Sequence, residues 1–299
     1  MPAAAEPRPT TLPLSGGKPG ATVKVHPITT GTLMYPLGAL FTTGGRLAAL
    51  RFLGIGSERV EIPIPCFLLE HPTVGPFLVD TGHHASMAVD PKGSYGPILG
   101  RAVASQIRMG EGDALPDQLR KRGVDPGDIK LVVMTHLHLD HASGVSQFPQ
   151  ATFVVTKREW DAATDGPGLK GGYIRRQFDH AFDWRTIDFD GDEVSSYKSF
   201  GRTLDLFGDG SVRLAYTPGH TLGHMSVVVR TAGPEFLIVG DAAYTMRTIR
   251  DSAMPYGPHD EHEFRRSLKE VQLYLDQTPD AAVCPGHDLE ALRALRPVY

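Results

Sequence analysis

The run His136-Leu137-His138-Leu139-Asp140-His141 constrains this chain more than any other feature. It sets three imidazoles and a carboxylate within six residues, directly after the apolar stretch 129–134. In an extended backbone, positions two apart share one face. His136, His138 and Asp140 are therefore expected to project together from a strand end, with His141 one step on at the turn. Clustered ring nitrogens and a carboxylate are costly to bury without partners. A divalent metal ion is the partner such a set calls for.

Three later groups add to it. They are Thr217-Pro218-Gly219-His220-Thr221-Leu222-Gly223-His224, Val239-Gly240-Asp241-Ala242-Ala243-Tyr244 and Cys284-Pro285-Gly286-His287-Asp288. Each follows a strand-like run and sets a ligand-type side chain beside glycine or in a tight turn. With His220, Asp241 and His287 the candidate ligands number seven, five His and two Asp. One ion needs only three or four protein ligands, so seven point to two neighbouring ions with a carboxylate between them. Such a pair can clamp both the attacking and the leaving oxygen of a hydrolysis. Imidazole and carboxylate suit zinc, and also iron, cobalt or manganese.

Composition narrows the alternatives. The chain has 299 residues, 41% hydrophobic and 21% charged, which suits a full core in one large domain or at most two. A net charge of -4 gives no electrostatic reason to expect nucleic acid or an anionic membrane as partner. No apolar run reaches the ~18 residues that span a bilayer. Residues 1–20 are rich in Pro, Ala and Gly and lack a secretory pattern; they read as a disordered or loosely packed arm. Two cysteines, Cys66 and Cys284, are too few for a disulfide framework and read as buried small hydrophobes. A reducing cytoplasm is the natural compartment.

Strand-like runs occur at 23–27, 61–70, 76–80, 129–135, 151–156, 212–217, 225–231, 235–240 and 281–284. Helical patterns occupy 117–122, 157–163 and 261–277, the last with Phe264, Leu268, Val271 and Leu275 at helical spacing. Strands and helices interspersed in this way fit a layered α/β design. Segments 42–58 and 247–262 read as irregular, and as walls or lids of an active site.

The order H-x-H-x-D-H, then separate His, Asp and His, resembles the metallo-β-lactamase superfamily over roughly 23–290, with Leu78-Val79-Asp80-Thr81-Gly82 matching its early strand-end motif. More narrowly, Asp241-Ala242-Ala243-Tyr244, the 218–224 segment and Gly286-His287-Asp288 are similar to the N-acyl-homoserine lactonase branch. The resemblance implies an αββα sandwich, with 21–299 a single hydrolase domain and the metals at one edge of the sheets. It also implies the ligand assignment: His136, His138 and His220 for one ion, Asp140, His141 and His287 for the other, and Asp241 bridging. Tyr244 would donate a hydrogen bond to a lactone carbonyl, and Asp140 would carry the proton to the departing ring oxygen.

The expected substrate is a lactone with an acyl tail, and a homodimer is one expected assembly. Residues 33–41, with Leu47, Leu50, Phe52 and Leu53, would line the tail pocket or form a dimer contact. Asp80 is expected to hold a ligand imidazole. His224 and Thr221 would brace the His220 loop, while His83 and His84 read as surface or loop histidines. Another lactone, a phosphotriester or an aryl ester would use the same metals with different walls. A metal-fold sensor without catalysis is the reading from another class.

Overall fold

The strand-like runs sort into two sheets because their apolar residues serve two faces. We describe residues 5–42 and 48–299 of a computed structural model. Among these residues the strands are β1 (Arg8–Pro9), β2 (Lys24–Pro36), β3 (Arg59–His71), β4 (Gly75–Val79), β5 (Ile107–Arg108), β6 (Leu131–Val133) and β7 (Thr152–Thr156). They continue with β8 (Asp183–Ile187), β9 (Ser195–Tyr197), β10 (Phe200–Asp205), β11 (Val212–Tyr216), β12 (Met225–Val229), β13 (Phe236–Gly240) and β14 (Ala282–Pro285). One sheet has the order β1-β8-β7-β6-β4-β3-β2-β5, the other β14-β13-β12-β11-β10-β9.

Successive residues of a strand face opposite sides, and β3 uses both. Phe67 and Leu69 point to the central core, where with Phe77 and Val79 they meet Leu214, Val227, Phe236 and Ile238 of the other sheet. Cys66 and Leu68 point outward, into a layer closed by Leu119 of the helix Leu115–Lys121 and Trp160 of the helix Lys157–Asp165. On the far side, Leu237 and Val239 pack under Phe264, Leu268 and Val271 of the helix Glu261–Gln277. The result is helix, sheet, sheet, helix. Each large side chain so buried stabilises the fold by about 1.5–3 kcal/mol. The helix Glu261–Gln277 spans the range its apolar spacing predicts. Asp260 caps it by accepting from the Glu263 amide at 2.9 Å, a contact worth about 1 kcal/mol.

Several elements depart from the sequence reading. The N-terminal segment is mostly exposed over its described part but is pinned at several points. Arg8–Pro9 pairs with β8, Leu12 is buried in the central core, and the Leu14 amide donates to the Leu206 carbonyl. Segment 247–262 begins in a helix, Met246–Asp251, whose buried Ile249 joins the outer layer. Segment 42–58 contains the short helix Ala48–Phe52; Leu47 and the Phe52 side chain lie outside the described residues. Strands β8, β9 and β10 had no strand-like signature, because charged and small polar residues occupy their exposed positions.

Two parallel pairings aim the chain toward one edge. β4 runs parallel to β6, and β13 parallel to β14. The loops leaving β4, β6, β13 and β14 carry Asp80, the 136–141 run, Asp241 and His287. In open α/β sheets, ligands gather beyond such carboxyl ends.

Candidate metal centre

β6 stops at Val133, so the 136–141 run is loop and turn rather than extended strand. The alternation survives in part. Leu137 is fully buried in the outer core layer while His136 and His138 point the other way, toward His220. The chain then turns, with the His141 amide donating to the His138 carbonyl at 3.0 Å. The turn breaks the expected trio of His136, His138 and Asp140. Asp140 instead groups with His141 and His287.

Potential ligand atoms converge in three overlapping sets, each within 4.8 Å: His136, His138 and His220; His136, His141 and Asp241; Asp140, His141 and His287. Asp241 stands between the outer two. One of its oxygens lies 3.2 Å from Nε2 of both His220 and His287 and 3.8 Å from His136, and the other lies 3.5 Å from His141. All seven candidates from the sequence are thus brought together. Two glycines let the backbones approach. A Cβ at Gly286 would lie 2.1 Å from Asp241 Oδ1, and one at Gly219, where φ is +127°, would lie 2.1 Å from the Phe264 amide nitrogen.

Hydrogen bonds behind the ligands decide which ring nitrogens face inward. Asp80 accepts from His141 Nδ1 at 2.8 Å, and the Pro63 carbonyl accepts from His287 Nδ1 at 3.1 Å. The first leaves His141 Nε2 without a hydrogen-bond partner, and the second leaves His287 Nε2 facing an Asp241 oxygen at 3.2 Å. Asp80 also accepts from the Thr135 amide at 2.8 Å, so it holds the imidazole as expected and the loop besides. His224 binds Thr217 through Nδ1 and accepts from the Asp241 amide at Nε2, 2.9 Å away. It therefore links the His220 loop to Asp241. His136 Nε2, His141 Nε2 and Asp241 Oδ1 are left buried with no hydrogen-bond partner. Orphaned buried polar atoms are rare and costly, and a set of bare imidazole nitrogens and a carboxylate oxygen is what a divalent cation fills.

The electrostatics divide the centre in two. Burial, then the neighbouring imidazoles, hold His136 well below its ordinary pKa; burial takes His138 down to about 4 and His220 well below its ordinary value. Those rings are neutral and offer lone pairs. Burial also opposes charge on His141 and His287, but the carboxylates outweigh it. Asp140, Asp241 and Asp80 raise His141, and Asp241 and Asp140 raise His287. Burial works to raise Asp241, yet His287, His220 and His141 bring it well below the usual carboxylate range. One half is three neutral imidazoles, the other an imidazole–carboxylate set that draws positive charge.

Several residues at the site carry no motif. Glu159 is fully buried and accepts from the amides of Leu137 (2.9 Å) and Gly223 (3.2 Å) and from the Tyr173 hydroxyl (3.1 Å). It ties the first ligand loop to the His220 loop. The Tyr173 ring packs on His138 with centroids 5.0 Å apart. Only the burial of a charged residue among apolar neighbours would have flagged Glu159, and burial is not legible in one sequence. His83 is a correction to the sequence reading. It is fully buried, and its Nε2 lies 3.1 Å from the Tyr95 hydroxyl. Tyr244 falls where its spacing from Asp241 places it, with its hydroxyl 3.2 Å from His220 Nδ1 and its ring 5.2 Å from that of His287.

The metallo-beta-lactamase superfamily model matches residues 60–287. The N-acyl homoserine lactonase AttM of Azorhizobium caulinodans is 35% identical over 235 residues, covering 77% of this chain and 84% of its own. A crystal structure of a Bacillus thuringiensis AiiA variant with N-decanoyl-L-homoserine at its active site aligns with a TM-score of 0.71 at 25% identity, over 92% of this chain and 97% of that one. A structure of an N-acyl homoserine lactone hydrolase, with the product N-hexanoyl-L-homoserine at its catalytic metal center, aligns with the same TM-score, identity and coverage. Family match, fold and convergent ligand set agree: this chain belongs to the metallo-β-lactamase superfamily.

Proposed function

We propose that the protein is a dinuclear metal-dependent lactonase that opens the ring of N-acyl-homoserine lactones. The observation that carries this reading is the convergence of His136, His138, His220, Asp241, Asp140, His141 and His287 with the Tyr244 hydroxyl against that set. The names of the relatives support it. His136, His138 and His220 would hold one divalent ion, zinc on this reading. Asp140, His141 and His287 would hold the other, and Asp241 would bridge. Such ions supply hydroxide at neutral pH and polarise a carbonyl.

The chain's own residues do the rest. Burial, then Asp241, Tyr35 and Asp140, push the Tyr244 phenol well above its ordinary value, so it stays protonated. With a divalent ion held at Nε2, His220 would carry its proton on Nδ1 and donate it to the Tyr244 oxygen 3.2 Å away. The phenol hydrogen is then free to donate to the lactone carbonyl as negative charge grows there. Asp140 is the more open of the two carboxylates, its side chain 16% exposed against 3% for Asp241. That openness suits it to collect a proton and deliver it to the departing ring oxygen.

Leu33, Leu40 and Phe41 cluster with Tyr244 and Ile62, which favours them as the wall for an acyl tail. Leu50, Leu53 and Ile55 are 41, 65 and 60% exposed, which favours that stretch as a homodimer contact. We read 21–299 as one hydrolase domain. The compartment proposed is the cytoplasm, in keeping with the unpaired, buried Cys66 and Cys284. No helix among the described residues is long and apolar enough to cross a membrane.

The test is a substrate panel on protein of measured metal content: short- and long-chain acyl-homoserine lactones, simple γ-lactones and a paraoxon-like ester. Turnover should be fastest on the acyl-homoserine lactones and vanish with a chelator. Tyr244→Phe should lower kcat by about 100-fold, the usual effect of losing one such donor. Faster turnover of the phosphotriester, or full lactone activity in Tyr244→Phe, would overturn the assignment.

A further inference from the structure

A second phenol stands at the site, and neither the ligand set nor Tyr244 accounts for it. Tyr35 lies on β2 two residues from Leu33, so their side chains share a face. Tyr35 pairs across from Val60 as Leu33 pairs across from Ile62. With Leu40 and Tyr244 these residues form a small apolar cluster outside the three layers that hold the sandwich together. The residue as a whole is half-buried, and its hydroxyl keeps access to solvent. Burial, then the charges of Asp140 and Asp241, raise its pKa far above the ordinary phenol value. Tyr244 feels Tyr35 in turn. The Tyr35 hydroxyl is therefore a protonated donor, and it forms no hydrogen bond among the described residues.

The two phenols occupy different ground. Tyr244 touches ligand rings, with centroids 5.4 Å from His220 and 5.2 Å from His287. Tyr35 sits on the apolar wall beside Leu33, within reach of the charges of Asp140 and Asp241 but among no ligand rings. In an N-acyl-homoserine lactone the exocyclic amide is attached to the carbon next to the ring carbonyl, and the tail continues from it. When the ring carbonyl lies at Tyr244 and the tail along the wall, the amide falls between them.

We propose that Tyr35 donates its hydroxyl hydrogen to the amide carbonyl oxygen of the substrate and so selects amide-bearing lactones over plain ones. The assignment rests on the lactonase reading above. A donor with no protein partner, once a bound substrate covers it, disfavours a substrate that leaves it unpaired, which is how polar groups in a site discriminate. Tyr35 acts on binding, whereas Tyr244 acts where charge develops.

The experiment compares wild type with Tyr35→Phe on N-hexanoyl-homoserine lactone and on an α-alkyl-γ-butyrolactone of matched tail length, which lacks the amide. The ring and its packing are kept, and thermal melting checks the fold. KM for the amide-bearing lactone should rise about 3- to 10-fold, the usual weight of one neutral hydrogen bond. Its kcat should change little, and KM for the alkyl lactone should not rise. An unchanged KM for the amide-bearing lactone overturns the proposal, and so does an equal rise on both substrates. If wild type opens neither lactone, the lactonase reading fails and this assignment falls with it; if wild type opens both, the outcome for Tyr35→Phe bears on Tyr35 alone.

Discussion

At Asp241 one carboxylate lies close to four candidate ligand imidazoles at once. It reaches His220, His287, His141 and His136 within 3.2 to 3.8 Å, so both halves of the centre depend on it. Asp140 reaches only His287 and His141, at 3.5 and 3.9 Å. The two should therefore fail differently. Asp241→Asn should bind fewer than two zinc ions per chain, as read by elemental analysis. Asp140→Asn should keep more of its metal but lose kcat by about 100-fold or more, the usual span for a proton carrier. Equal metal loss in both variants would contradict the bridging position. At this scale the sequence was most legible. Residue type and order in the His/Asp groups mark the candidate ligands that the fold brings together, and Asp80 and His224 stand beside them. Glu159 and His83 escaped because what marks them is burial, which depends on neighbours far along the chain.

At the scale of elements, the candidate ligands are held by loop ends tied to one another rather than by rigid strands. Glu159, on the helix Lys157–Asp165, accepts from three donors at once: the Leu137 amide, the Gly223 amide and the Tyr173 hydroxyl. In Glu159→Gln one carboxylate oxygen becomes an NH₂ group facing a donor. That should cost about 1–3 kcal/mol for the unmet groups and lower zinc affinity about 10- to 100-fold, as is usual when a group supporting a ligand is lost. Competition with a fluorescent zinc chelator and a melting curve measure the two effects. Unchanged affinity would mean that the loops hold themselves. The helix Glu261–Gln277 was readable because its apolar face repeats at helical spacing. The extended geometry expected for 136–141 was misread because β6 ends early and the turn at 138–141 overrides the alternation. β9 and β10 were missed for another reason: Ser195, Ser196, Gly201 and Arg202 give no apolar stripe, and pairing with neighbours makes the strands.

For the molecule as a whole, the N-terminal segment binds the two sheets together. Thr10 donates to Thr186 of β8, Leu14 donates to Leu206, and the Lys18 amide donates to Asp209. Composition suggested a loose arm because proline and glycine were plentiful; the few apolar and backbone contacts that pin it are long-range and invisible in sequence. Deleting residues 1–20 should lower Tm by several degrees, since burying one leucine side chain alone stabilises by about 1.5–3 kcal/mol. Asp209 adds a pH dependence. Burial pushes its carboxyl up, but Ser211, the Lys18 amide and His71 outweigh that and hold it at about 2. An unfolded aspartate titrates near ~3.9, so this stabilisation is fully present above that pH and is lost as pH falls toward the folded value. The Tm gap between wild type and Asp209→Asn should accordingly be widest near neutrality and close in acid. A gap that stays constant down to low pH would remove Asp209 from the account. The sandwich itself could be expected from the motif order, while the face-to-face packing of its sheets could not be read from periodicity.

The central claim is that this fold cages two neighbouring cations in imidazole and aspartate. Metal analysis of the folded chain after equilibration in a zinc buffer tests it most directly. The account predicts two zinc ions per wild-type chain and a lower number when His220 or His287 is replaced by alanine in a protein that still folds. A wild-type chain that takes up one ion or none, or alanine variants that keep both ions, would contradict it.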